Sequence, residues 1–277
     1  MVNVFDENYP LGQLSRRSKF AAASDKQWES NNGIRLQTFT DGFYPQQFRH
    51  KTGWHRDGNG HLATIPGFGD EYGENNKYKD DLVFLGDENS DPTHIGNVSD
   101  FATLYANFFD KVKEKSDGRG KTAMGSEVGS GRVWFTDVLN ELHSRRPNVK
   151  WVDEWIFQLY MGDPVTDSGA VDSDVVDRWK QNVESCARWS DEHNAKMFLA
   201  FTINGNTYSE EIADVLRDIM NFINQDQRIA EAAWWHFQAG QTMRPLTTPV
   251  GSDRFSLEPI GHEFKRISDS LALLSIV

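Results

Sequence analysis

Residues 81–92 read DLVFLGDENSDP. Four apolar side chains, Leu82 to Leu85, run into Gly86 and then into two acids, Asp87 and Glu88. A continuous apolar run of this length, closed by a glycine, predicts a strand covered on both faces. The strand therefore ends by delivering carboxylates into the open. The text that follows it is helical. Over residues 99–115, Phe101, Leu104, Tyr105, Phe108, Phe109 and Val112 recur at the spacing of one helix face, with Ser99 at the N-cap and Asp100 in the first turn.

The same strand-then-helix unit repeats down the chain. Further strands are expected at 121–129 (KTAMGSEVG), 149–162 (VKWVDEWIFQLYMG), 196–205 (KMFLAFTING) and 231–240 (EAAWWHFQAG). Between them come helices at about 136–145, 173–194 and 209–224. The last has an apolar stripe from Ile212 to Ile223 and Ser209 as its cap; Val176, Trp179, Val183 and Ala187 mark the one before it. Upstream, VNVF at 2–5, GIRLQTFTDG at 33–42 and a weaker segment within 50–65 complete about eight strands. Alternation of this kind argues for a parallel sheet with right-handed crossovers. The fold class expected is α/β: a single (β/α)8 TIM-type barrel over residues 1–277, irregular in its first half. A doubly wound open sheet competes, but no GxGxxG or GxxxxGK[ST] turn is present.

Composition narrows the function. The 277 residues carry a net charge of −12, with a pI near 5.1. Such a surface repels phosphate backbones, so nucleic acid is not an expected partner. No apolar stretch approaches the ~20 residues that span a bilayer, and the opening MVNVFDENYP lacks the basic and apolar segments of a signal peptide. A soluble protein away from membranes is expected, with secretion left open. One cysteine, Cys186, excludes an internal disulfide. Nine Trp and eighteen Phe fit either a large core or a groove where rings stack on flat ligands.

If the strands form a barrel, chemistry belongs at their C-terminal ends. Polar residues do gather after each apolar run. Asp41 follows one; Asp87, Glu88 and Asn89 follow another; Glu127 lies between Gly125 and Gly129. Gln158, Tyr160 and Asp163 come late in or just after the next, Thr202 and Asn204 end the one after that, and Trp235, His236 and Gln238 end the last. Loops are polar in any protein, which accounts for the Asp and Gly residues. It accounts less well for Gln158 inside an apolar run, where a buried amide needs a partner. Trp234 and Trp235 must point to opposite sides of their strand, one into the core and the other available as a stacking floor. Trp54 sits in a loop, TGWHRDGNGH at 52–61, suited to lining a cleft. Glu88, Glu127 and His236 could in principle hold a metal, but no HExxH or strand-end HxH accompanies them, and no GxSxG marks a serine hydrolase. No metal and no cofactor are expected.

GDEN at 86–89 resembles the G-N-E-P turn that ends strand four in clan A glycoside hydrolases. Other segments match in order. SDFATLYANFFDKVKEK at 99–115 resembles that family's next helix. LYMG at 159–162 is similar to its His-x-Tyr-Gly ending, with Leu159 in place of the His. AWWHFQAG at 233–240 resembles its last strand end, and SLEPIGHEFKRI at 256–267 its closing helix. The likeness spans roughly 80–267 and implies a (β/α)8 enzyme acting on a poly- or oligosaccharide, with Glu88 as general acid/base. The departure is at the end of MFLAFTING. The family places its nucleophilic Glu there, and this chain has Thr202 and Asn204. A retaining reaction needs two carboxyl groups ~5 Å apart and an inverting one ~6.5–9.5 Å. Glu127 is the first candidate for the second carboxylate; Asp163, Glu154 or Asp41 could serve as base. The alternative is a non-catalytic carbohydrate-binding or structural barrel, such as a subunit of a larger assembly. The sugar, the linkage and the oligomeric state stay open.

Overall fold

The computed structural model describes residues 98–115, 117–118, 120–128, 131–205, 208–234 and 255–274, with short strands elsewhere. In chain order the strands are β1 (Phe20–Ser24), β2 (Leu36–Thr38), β3 (Trp54–Arg56), β4 (Leu62–Thr64), β5 (Leu82–Leu85), β6 (Lys121–Val128), β7 (Glu154–Met161), β8 (Lys196–Ile203), β9 (Ile229–Trp234), β10 (Thr247–Pro249) and β11 (Phe255–Leu257). The helices are α1 (Val98–Lys115), α2 (Arg132–Arg145), α3 (Ser173–Glu192), α4 (Glu210–Gln225) and α5 (Pro259–Leu274). From β5 to β9 the strict alternation of strand and helix is the one expected.

Two compact units divide the chain. The first is chiefly 38–157 with 189–196; the second is 4–37, 158–188 and 197–277. In the first, β5 and β6 pair in parallel from Leu82 beside Lys121 to Leu85 beside Met124, and β6 neighbours β7. In the second, β7 neighbours β8, and β8 and β9 pair in parallel with Phe201 beside Trp234. β9 also pairs in parallel with β1, Ala22 beside Trp234.

Each unit is held by an aromatic cluster on the helix side of its strands. In the first, Phe135 of α2 meets Trp155 at 4.8 Å and Phe157 at 5.5 Å between ring centres, and Trp189 of α3 lies 5.1 Å from Trp155. In the second, Phe201 and Trp234 lie 5.5 Å apart and Phe264 of α5 is 5.9 Å from Trp234. Trp151, Trp155 and Trp234 are fully buried, so these tryptophans are core. The Trp179 N–H donates to the Leu159 carbonyl at 2.7 Å, as a buried indole should.

Several boundaries differ from the sequence reading. β7 begins at Glu154, not near 149, because the lead-in is tied down: the Tyr105 and Thr122 hydroxyls both donate to the Trp151 carbonyl. Burial pushes the Tyr105 phenol pKa well above its ordinary range. The Asp153 carboxylate accepts from the Thr122 N–H and pairs with Lys113 at 3.6 Å and Lys150 at 3.4 Å. α2 starts at Arg132, four residues early, after Gly131, which has no side chain to announce a cap. Ser99 lies inside α1, where its hydroxyl reaches Glu141 instead of capping. Ser209 does cap α4, accepting from the Ile212 N–H. The segment 50–65 forms an antiparallel hairpin, Trp54 beside Thr64, in place of one strand. VNVF at 2–5 lies outside the described residues.

Candidate functional site

The polar end of β7 is built by alternation. Trp155 and Phe157 point to the helices, so Glu154, Ile156, Gln158 and Tyr160 point to the other face. Gln158 is 3% exposed and Tyr160 half-buried. The Tyr160 hydroxyl donates to the Gln158 Oε1, answering the need of a buried amide for a partner. With Oε1 accepting, the amide presents its N–H groups as donors.

β8 brings the next residues beside them. The Asn204 N–H donates to the Met161 carbonyl at 2.9 Å, which sets Ile203 beside Met161 and Thr202 beside Tyr160. Phe201 points to the helices, so Thr202 and Asn204 share the face of Gln158 and Tyr160. Ala200 and Ala233, paired across β8 and β9, continue this face with small side chains. The strip formed by Gln158, Tyr160, Thr202 and Asn204 is neutral. Donors and acceptors held at the ends of parallel strands can orient a ligand rich in hydroxyl groups.

Three of the expected site residues are thus brought together: Gln158, Tyr160 and Asn204. Trp54 lies in β3 of the hairpin. Glu127 is the penultimate residue of β6, near the C-terminal end of that strand. Asp41, Glu88, Asn89, Trp235, His236 and Gln238 lie outside the described residues. Two alternative bases lie among the described residues. Glu154 opens β7, at the opposite end of the strand from Tyr160, and is buried. Asp163 is exposed, and its carboxylate accepts from the Val165 N–H, shaping the loop after β7. Among the described residues, no three His, Cys, Asp or Glu are grouped to hold a metal ion. Trp234 takes the core side of its strand.

No family model and no curated protein matches this chain. Solved structures do. An oligosaccharide-binding protein of glycoside hydrolase family 128, subgroup VII, from Trichoderma gamsii aligns over 96% of this chain and 98% of its own, at 12% identity and a TM-score of 0.53. A curdlan-specific exo-β-1,3-glucanase of the same family, subgroup III, from Blastomyces gilchristii, in complex with glucose, aligns over 97% of each chain at 11% identity and a TM-score of 0.50. Cel5A of Thermotoga maritima, in complex with mannotriose substrate, aligns over 91% of this chain and 99% of its own, at 11% identity and a TM-score of 0.50. This likeness shows the fold, a (β/α)8 barrel. In that fold chemistry is carried at the C-terminal strand ends, the end at which Tyr160 and Asn204 stand. Among the described residues, no helix is long and apolar enough to cross a membrane.

Proposed function

We propose that this chain, as one (β/α)8 domain, binds an oligosaccharide at its C-terminal strand ends and acts on it as a glycoside hydrolase. The observation that carries the reading is the Tyr160–Gln158 hydrogen bond with Asn204 on the adjacent strand end, in a glycoside-hydrolase fold. Glu88 is the general acid/base: it hands a proton to the glycosidic oxygen as the bond breaks. An acid doing this near neutral pH needs its pKa raised by an apolar or acidic setting. Glu127, near the C-terminal end of β6, is the second carboxylate. It attacks the anomeric carbon if the two lie ~5 Å apart and activates a water if the gap is ~6.5–9.5 Å. Gln158, Tyr160 and Asn204 orient the sugar, and Trp235 supplies a stacking floor.

A second reading is binding without cleavage. It is favoured by β8, whose end carries Thr202 and Asn204 and no carboxylate. The T. gamsii structure, described as an oligosaccharide-binding protein, gives this reading a precedent. Incubation with curdlan, soluble β-1,3-gluco-oligosaccharides and mannotriose, followed by assay of new reducing ends, separates the two. Hydrolysis that falls roughly 10²–10⁴-fold in Glu88→Gln supports the enzyme. Binding to the same sugars, with no new reducing ends from either form, supports the binding protein. Hydrolysis unchanged in Glu88→Gln overturns the role of Glu88.

A further inference from the structure

Thr202 is fully buried, and its hydroxyl finds no hydrogen-bond partner among the described residues. The indole N–H groups of Trp151 and Trp155 share that condition. Their surroundings differ, however. Trp155 sits in the helix-side cluster with Phe135 and Trp189, and Trp151 packs on Phe109 of α1 and under Arg146. Thr202 lies on the other side of its strand, beside Tyr160 and two residues before Asn204, on the face of the candidate site. A buried hydroxyl without a partner destabilises the folded chain, and Val would fill the same volume without that cost. A threonine standing in such a place fits a role in which the partner arrives with a ligand.

We propose that the Thr202 hydroxyl is a ligand-recognition group, a polar contact of the strip formed with Gln158 and Tyr160, and that it hydrogen-bonds a hydroxyl of the bound sugar. The proposal rests on the carbohydrate-binding reading above. Threonine can both donate and accept, so either direction of the bond serves a sugar hydroxyl. The contact acts as a discriminator, because a ligand lacking that hydroxyl leaves Thr202 as unpaired as it is in the empty chain.

The test uses the full chain and titration calorimetry with soluble β-1,3-gluco-oligosaccharides and mannotriose, together with thermal melts. Thr202→Val is expected to melt no lower than the parent and to bind roughly tenfold more weakly, the loss of one hydrogen bond. Thr202→Ser, which keeps the hydroxyl, is expected to recover most of that affinity. A Thr202→Val variant with parental affinity overturns this proposal and leaves the carbohydrate reading standing. A lower melting temperature in Thr202→Val also overturns it, since the hydroxyl would then be serving the fold. Failure of the parent to bind either sugar removes the site itself, and this proposal with it.

Discussion

The two faces of β7 are made by one stretch of chain and answer to different demands. One face sends Trp155 and Phe157 into the aromatic cluster with Phe135 and Trp189. The other carries Gln158 and Tyr160, hydrogen-bonded to each other. Extended backbone makes the two independent, since neighbours along a strand never share a side. The helix side stabilises by burying large rings at native packing density. The site side of β7 keeps the polar groups of Gln158 and Tyr160 largely out of water, and their mutual hydrogen bond offsets that cost. β8 shows the same division, with Phe201 against Trp179 and Trp234 on one side and Thr202 on the other.

The largest expected effect tests the helix side. Trp155→Ala removes a fully buried ring from a cluster of four and leaves a cavity. It is expected to cost about 3–5 kcal/mol, read as a lower midpoint in urea denaturation at unchanged slope. A cost below about 1 kcal/mol would break the comparison, because the cluster would not then be what holds this unit.

Tyr160→Phe tests the site side with a smaller perturbation. It deletes the hydroxyl that donates to Gln158 and keeps the ring. Stability is expected to fall by about 1 kcal/mol, while affinity for a bound oligosaccharide falls several-fold as the Gln158 amide loses its fixed orientation. If stability fell as far as in Trp155→Ala while affinity held, the division of labour between the faces would be wrong.

Much of this division was legible in the sequence, and the rest was hidden for physical reasons. The alternation from β5 to β9 could be read because each strand is a dense apolar run and each helix shows its stripe. Gln158 stood out as an amide inside such a run. The choice between Trp234 and Trp235 was not legible, since alternation says only that they oppose; packing against Phe264 puts Trp234 in the core. β1 escaped because Phe20–Ser24 reads FAAAS, and alanine has little strand preference; its pairing with β9 makes it a strand. Between β3 and β4 the sequence carries Asp57-Gly58-Asn59-Gly60, glycine-rich turn chemistry that fits their antiparallel pairing better than the one weak strand expected there. In the sequence Thr202 reads only as a residue standing where a nucleophilic Glu is expected. Its burial without a partner could emerge only from the folded chain.

The smallest effect lies at the rim of the apolar layer and sharpens the comparison by showing where charge is allowed. Glu263 of α5 precedes Phe264, the ring that packs on Trp234, and receives Arg266 at 2.5 Å and Arg217 of α4 at 3.0 Å. Arg266 first, and Arg217 with it, hold the Glu263 carboxyl below the usual carboxylate range, against the partial burial that would raise it. Because the folded-state pKa is depressed, the stabilisation is present above the unfolded value of ~4.3 and is lost as pH falls through the folded one. Both arginines are substantially exposed, so the ion pairs are worth at most about 1 kcal/mol. Glu263→Gln is therefore expected to be slightly less stable than the parent at pH 7, with the two converging as the pH drops below 4 in a series of urea melts. Added salt should narrow the gap at pH 7 as well, since these charges meet at the surface. A gap that persisted undiminished in acid would mean that Glu263 acts by packing beside Phe264 and not by its charge, and would extend the apolar side of the sheet by one residue, from Phe264 to Glu263.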